Sequence, residues 1–454
     1  MRTKIANLYE RMQSSYWFIP SIMAFQAAAL STILLFIDLL NAEQEFFDLS
    51  WINLTGAAGA RSILSTVASS MITVTGMVFS ITIVSLSLTA QQYGPRLLQN
   101  FLRNRGNQIV LGTVTATYLY CLLVLRTVSE KNGQSFIPHL SILCALVLAV
   151  VCVGMLIYFI HNITISIQVS NVIANVSRDL AKTIEKLFPE KNPRSTSSRE
   201  NEIAMADILP EGFAEQAMPI TYDRTGYLQA IDHNGLLELA SRHDLVLRIL
   251  HRIGYFLIPD STLVEVFPAE AAEDEELCKQ VNRCFITGRQ RSQGQDLELL
   301  INELVEIAGR ALSPGINDPF TAISCIDHLV LALCDLAQRA FPAPGREDQD
   351  NRVRIIDTPP SFRRILDVAF NQIRQYGGSH VAVTLHLLEG IKRIIPFTRI
   401  AEQRDALLRQ AAMIDHGNQS SLSEEEDRQE VHAKYLEIFQ VLEENFGLTG
   451  NEMA

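Results

Sequence analysis

The chain has 454 residues, 48% of them hydrophobic, and a net charge of −12. Up to residue 165, nine lysines and arginines stand against six acidic residues; beyond it 29 stand against 44, so the two parts suit different solvents and one core cannot serve both. An acidic second part with no basic stripe repels phosphate backbones and argues against a nucleic-acid partner, while seven cysteines lacking a C-x-x-C pair or zinc-spaced histidines argue against a metal site and read as reduced thiols.

A bilayer core requires about 20 apolar residues per helix. Four stretches meet that need, at 18–40, 66–90, 109–125 and 137–160. The first is too long for a cleaved leader and ends at Asp38 without a small-residue cleavage site. Basic residues fall before the first stretch (Arg2, Lys4, Arg11), between the second and third (Arg96, Arg103, Arg105) and after the fourth (Arg178, Lys182, Lys186, Lys191, Arg194). The first connecting loop carries Glu43, Glu45 and Asp48 against Arg61. The positive-inside rule then predicts cytoplasmic termini, with Trp17 and Trp51 at the interface.

The second stretch differs from the others in its hydroxyls. At 100° per residue, Thr66, Ser69, Ser70, Thr73, Ser80 and Ser87 share one face with Met77 and Val84. Two readings compete for this stripe. Small hydroxyl residues let helices approach closely and can bond their own i−4 carbonyls; hydroxyls also replace part of an ion's hydration shell when several helices surround a water-filled path. One such helix per protomer would enclose a pore only in an oligomer. No charged residue sits near mid-membrane, which argues against a proton relay, and Asp38 and His161 lie at helix ends, where they read as interface anchors.

Residues 166–216 form a connecting helix and linker, with 191–202 rich in hydroxyls, Asn192 and Pro193. The stretch 217–268 reads as a small β-rich subdomain, with strands at 227–231, 245–250, 255–258 and 263–267 around a short helix at 234–241. Residues 269–454 are mainly helical. Leu297, Leu300, Ile301, Leu304, Ile307, Ala308 and Ala311 form one apolar stripe, and Ile323, Ile326, Val330, Leu333 and Ala337 another. Between them, Pro314 and Gly315 stop the first helix, Asn317 or Asp318 can cap the next, and Pro319 suits its first position. A rigid corner accounts for this run; so does a binding site in which Ser313, Asn317 and Asp318 present polar groups, with Arg310, Arg289 or Arg291 supplying charge.

Further helices are predicted at 361–375, 381–395, 399–414 and 424–444, with Thr358 ahead of two prolines as a start signal and Ser423 with Glu426 as a capping pair. The acidic runs at 270–276 and 424–427 read as solvated helix starts, since neither has EF-hand spacing. No P-loop, dinucleotide glycine fingerprint, H-E-x-x-H or G-x-S-x-G is present, and His233, His243, His251, His328, His380 and His386 stand apart from any nucleophile, so neither an enzyme nor a cofactor is expected.

The run Glu306-Ile-Ala-Gly-Arg-Ala-Leu-Ser-Pro-Gly-Ile-Asn-Asp-Pro-Phe-Thr-Ala322 resembles a bacterial family of membrane proteins known as domain of unknown function 2254. Ser69-Ser70-Met71 through Phe79-Ser80-Ile81, then Gln91-Gln-Tyr-Gly-Pro-Arg-Leu-Leu98, is similar to that family's second helix and loop, and Gly226-Tyr-Leu-Gln229 with Ile253-Gly-Tyr-Phe256 to its β-rich segment. The chain departs from the family at Leu299-Leu-Ile-Asn302, where a glycine and aromatic pattern is frequent. The resemblance implies four transmembrane helices and a cytoplasmic α+β domain in a bacterial inner membrane, and implies no reaction.

Two functions are carried forward. The first is an oligomeric channel or passive conduit lined by Thr66, Ser69, Thr73, Ser80 and Ser87, with membrane lipid and further copies as partners and the second part assembling or gating it. The second is a membrane-anchored regulatory or ligand-binding protein using Arg310, Ser313, Asn317 and Asp318.

Overall fold

The computed structural model describes residues 17–44, 56–94, 105–131, 134–189 and 209–446. Trp51, the linker at 191–202 and the basic residues Arg2, Lys4, Arg11, Arg96, Arg103, Lys191 and Arg194 lie outside the described residues. The chain divides into two units, Met1–Asn171 and Val172–Ala454.

The first unit is built on four apolar helices, α1 (Phe18–Gln44), α2 (Ala57–Tyr93), α3 (Arg105–Thr127) and α4 (His139–Ile167). Each extends past the apolar window that announced it, because polar and small residues flanking a nucleated helix continue its hydrogen-bond ladder at little cost. With 37 residues, α2 is about 55 Å long, well beyond a hydrocarbon core of about 30 Å. A short hairpin of β1 (Ser129–Lys131) and β2 (Gln134–Phe136) joins α3 to α4, an element too short to leave a pattern in the sequence. The bundle is organised around α3, which packs on α1, α2 and α4, burying Val110, Val114, Thr117, Tyr120, Cys121 and Val124.

One glycine makes the α1–α3 crossing possible. A Cβ on Gly112 would lie 2.5 Å from Met23 Sδ and 3.2 Å from the Pro20 backbone, so the Met23 side chain and Pro20 of α1 rest directly on α3 there.

The second unit opens with α5 (Val169–Leu187), an amphipathic helix whose Ile173, Val176, Leu180 and Ile184 are buried at the three-and-four spacing of a packed face. Two sheets follow. The larger has the order β3 (Met218–Tyr222), β7 (Ser261–Phe267), β5 (Val246–Ile249), β10 (Val353–Ile356), β9 (Gly345–Glu347), antiparallel except for the β5–β10 pair. The smaller runs β6 (Phe256–Leu257), β4 (Gly226–Ile231), β8 (Phe285–Gly288), all antiparallel. Helix α6 (His233–Arg242) and α7 (Glu275–Arg283) complete this layer, and Leu228, Leu236, Leu247, Leu263, Val264, Val281 and Ile355 fill its core.

The β-rich region at 217–268 is therefore not closed on itself: β8, β9 and β10 come from the stretch read as helical. Strands of three or four residues carry too few positions for a period of two to show. The acidic run at 270–276 does start a helix, with Asp274 accepting from the amides of Glu276 and Leu277 at the head of α7.

Six helices make up the rest: α8 (Leu297–Ala311), α9 (Pro319–Ala337), α10 (Phe362–Gly377), α11 (Val381–Ile394), α12 (Ala401–Ser421) and α13 (Glu425–Phe446). They pack in neighbouring pairs, α8 on α9 and α10, α9 on α11, α10 on α12, and α13 on α11 and α12. Gly390 of α11 makes room for Val330 of α9, since a Cβ there would lie 2.6 Å from Val330 Cγ2. Two capping expectations are corrected. The cap of α10 is Ser361, which accepts from the Arg364 amide, because the prolines at 359 and 360 keep Thr358 too far upstream. Helix α13 begins at Glu425, leaving Ser423 one position before the cap.

By length and composition five helices among the described residues could cross a membrane, one more than the four expected, the fifth being α9. Its stripe of Ala322, Cys325, Ile326, Leu329, Val330 and Leu333 is buried among the helices of its own unit, which explains why core packing and membrane crossing give similar hydropathy here.

Candidate functional site

The hydroxyl stripe faces away from the bundle. Leu64, Ala68, Met71 and Val78, with Thr82, Ser85 and Thr89, form the buried face of α2 toward α3 and α4. Thr66, Ser69, Ser70, Thr73, Ser80 and Ser87 are all exposed, flanked by exposed Ile72, Met77, Ile83 and Val84. Thr66, Ser70 and Thr73 donate to the carbonyls four residues back at 2.7–3.0 Å, and Ser87 accepts from Gln91. Ser69 and Ser80 donate to no group among the described residues. Gly76 lies on the same side with open space around it.

Asp38 is buried and fully engaged within the bundle. Its carboxylate accepts from Leu140 N and Ser141 N at 3.0 Å and from Ser141 Oγ at 2.6 Å, which makes a residue of α1 the cap of α4. Tyr120 Oη donates to the Ser141 carbonyl beside it, and Arg61 donates to the Val128 carbonyl. At the opposite ends of α3 and α4, Asn162 donates to Asn107. His161 is exposed and Trp17 packs on Phe79, ring centroids 5.8 Å apart.

The corner between α8 and α9 spends its polar groups on local structure. Ser313 Oγ donates to the Arg310 carbonyl at 2.6 Å, Asp318 N to the Ala311 carbonyl at 2.7 Å, and the Asp318 carboxylate takes the amide and hydroxyl of Thr321. Asn317 adopts a left-handed φ of 49°, a conformation asparagine tolerates, and Pro319 opens α9. Arg310 pairs with Glu306, while Arg291 is engaged with Asp296. Around this corner Ile316 and Phe320 are 50% and 79% exposed.

A cavity of about 190 Å³ lies within the second unit, between α5's end, the two sheets and the start of α8. Its floor is apolar, from Phe188, Ile231, Ile249, Ile253 and Ile365, with Pro342, Pro359 and Pro360 stiffening one rim. Charged side chains occupy the rest. Asp357 Oδ2 is 3.1 Å from His233 Nε2 and 3.8 Å from Arg346 Nε. Asp296 caps α8 through the Leu299 amide and clamps Arg291 with bonds of 2.6 and 2.7 Å, an arrangement that holds the guanidinium in its charged form. Gly254, at φ 86°, lies against that clamp: a Cβ would be 2.8 Å from both Arg291 Nε and Asp296 Oδ2. Glu298 holds Arg364 through two bonds.

Two further groups line the cavity. His251 stacks on Tyr255, centroids 4.1 Å apart, and burial lowers its pKa from the ordinary histidine value despite a backbone hydrogen bond with Thr262. Arg252 is exposed and has no hydrogen bond or ion pair among the described residues; burial of its stem, followed by the nearby Arg364, lowers its pKa from the usual arginine range. Sequence reasoning missed this cavity because its charged residues come from four separated segments, and the His233–Asp357 contact spans 124 positions. No cluster of three or more metal-ligating side chains occurs among the described residues.

The uncharacterized protein Rv1290c of Mycobacterium tuberculosis (strain ATCC 25618 / H37Rv) is 32% identical over 373 residues, covering 81% of this chain and 70% of its own length. The uncharacterized protein Mb1321c of Mycobacterium bovis (strain ATCC BAA-935 / AF2122/97) matches to the same extent. No solved structure matches the chain. The family described as predicted membrane protein (DUF2254) matches residues 13–393, five-sixths of the chain and both units, so this protein belongs to that family.

Proposed function

We propose that the protein is an oligomeric channel or passive conduit of a bacterial inner membrane, crossed by α1 to α4, with α2 lining the path and the second unit on the cytoplasmic side assembling or gating it. The observation that carries this reading is the exposure of the hydroxyl stripe: the chain's own helices take the opposite face of α2, leaving Thr66, Ser69, Thr73, Ser80 and Ser87 uncovered. A hydroxyl facing hydrocarbon without a partner costs about 1–3 kcal/mol, so Ser69 and Ser80 favour a face that meets water or a second copy. The small groups at Ser69, Thr73, Gly76 and Ser80 also suit close approach of identical helices.

Flux and single-channel recording on the reconstituted protein test this. The variant Ser69→Leu, Thr73→Leu, Ser80→Leu adds bulk only to an exposed face, so it is expected to fold and to lose conduction. Normal conduction by that variant, or a strictly monomeric protein in nanodiscs, removes the reading. A second reading, a membrane-anchored ligand-binding or regulatory protein without transport or enzymatic activity, is favoured by the cavity of the second unit with its charged lining.

A further inference from the structure

The charges around the cavity do not cancel. Arg252, Arg291, Arg346 and Arg364 meet three carboxylates, Asp296, Glu298 and Asp357. Asp296 is consumed by Arg291 and Glu298 by Arg364, each through two hydrogen bonds. Asp357 is shared between His233 and Arg346, and Arg346 Nε, although shielded from solvent, makes no hydrogen bond at its 3.8 Å separation from that carboxylate. Arg252, with Glu298 as its acidic neighbour, makes no hydrogen bond or ion pair among the described residues. A guanidinium presents donors in a fork that matches a carboxylate, and one that lines a cavity without a partner is a half-formed pair.

We propose that this cavity binds a small monocarboxylate with an apolar body, its carboxylate taken by Arg252 with Arg346 as second donor, and its body laid on Ile249, Ile253 and Ile365. The volume sets the size. About 190 Å³ is enough for a single ring or a short chain. The charge balance sets the valence: one uncommitted cation compensates one negative charge, and a phosphate dianion would bury a charge with no counter-ion. A cationic ligand is disfavoured because every carboxylate already holds a guanidinium. Asp357 is held by Arg346 and His233, and Asp357 N bonds the Pro344 carbonyl, so the rim is fixed before a ligand arrives. The inference stands on the cavity and holds whether the first unit conducts or only anchors.

The test uses the full chain in nanodiscs, with empty nanodiscs as blank. Benzoate and hexanoate are titrated by calorimetry and ligand-observed NMR, with benzamide as the neutral match of benzoate. At least one carboxylate is expected to saturate with Kd of about 1 mM or below, and benzamide to bind about tenfold or more weakly than benzoate. Arg252→Gln, an exposed and unpartnered position, is expected to keep the fold by circular dichroism and to weaken carboxylate binding about tenfold while leaving benzamide unchanged. Absence of saturation by either carboxylate up to about 20 mM, equal affinity for benzamide, or unchanged carboxylate binding in Arg252→Gln each overturns the proposal.

Discussion

Asp38 is the sharpest point at which to perturb the first unit. It is 6% exposed, sits on α1, and supplies the only capping oxygens described at the head of α4, through bonds to Leu140 N, Ser141 N and Ser141 Oγ. Hydrogen bonds to a charged acceptor contribute about 1.5–3 kcal/mol each, but the three share one carboxylate, and water at a helix end replaces part of what is lost. We therefore expect Asp38→Ala to cost about 2–4 kcal/mol, at or above the top of the range of about 0.5–2 kcal/mol for an ordinary lost cap, because three bonds to one buried carboxylate go with it. At about 2–4 °C per kcal/mol for a unit of this size, thermal unfolding in detergent should fall by about 5–15 °C. Asp38→Asn keeps one acceptor oxygen and should lose about half as much. Ser141→Ala removes only the hydroxyl donor, and the Asp38/Ser141 double-mutant cycle should show coupling of about 0.5–3 kcal/mol. A melting temperature unchanged by Asp38→Ala, or strict additivity in the cycle, would refute the view that α1 locks α4 through this carboxylate.

Gly112→Val places a branched side chain against Met23 and Pro20 and should destabilise the first unit by about 1–3 kcal/mol, read as a lower melting temperature in detergent. Asp318→Ala removes the acceptor for Thr321 N and Thr321 Oγ1 and should cost the second unit about 1 kcal/mol in chemical denaturation, whereas a larger loss of ligand or partner binding than of stability would reveal a recognition role for the corner. In the α11–α13 contact, the Lys434 hydrogen bond lowers the Glu389 pKa, and bonds from Lys392 and Lys434 lower that of Glu437. Depressed carboxylates stabilise above their unfolded values, so this contribution is complete at neutral pH and is lost as pH falls below about 4.5; because the groups are partly exposed it should be small and should shrink further in high salt, checked by denaturation at several pH values. Gly254→Ala pushes a methyl into the Arg291–Asp296 clamp and should loosen the head of α8, seen as faster amide exchange at Leu299.

How much of this was legible in the chain depends on the range of the interaction involved. The apolar windows of α1 to α4 and the stripes of α8 and α9 follow from local periodicity, and the structure places helices on all of them. The corner was legible for the same reason, since Pro314, Gly315, Asp318 and Pro319 act within a turn of one another, and of the two cap candidates, Asn317 and Asp318, it is Asp318 that caps. Asp38 was visible only as a helix-end carboxylate; its partners lie 102 and 103 positions away, and no local signal names them. The cavity was illegible throughout. Arg252 sits in a loop, Arg346 in a three-residue strand and Asp357 just past another, and what makes them a site is a balance of charges that exists only after the two sheets have formed.

The stripe on α2 lies between these cases, and there the fold adds what periodicity could not. Periodicity showed that the hydroxyls share a face; it left open whether that face met the chain's other helices or something else. Had α3 or α4 covered Ser69, Thr73 and Ser80, close packing within one protomer would have accounted for them. Instead Leu64, Ala68, Met71 and Val78 serve that purpose, and the hydroxyls point outward beside Ile72, Met77 and Ile83. Packing against α3 and α4 therefore does not account for the stripe. On the proposed channel reading, such a face serves as the seam between copies or as the wall of a path between them, and both require more than one copy in the membrane. The mass of the particle in a nanodisc therefore bears directly on that proposal, because a single copy would leave Ser69 and Ser80 against lipid with no partner among the described residues.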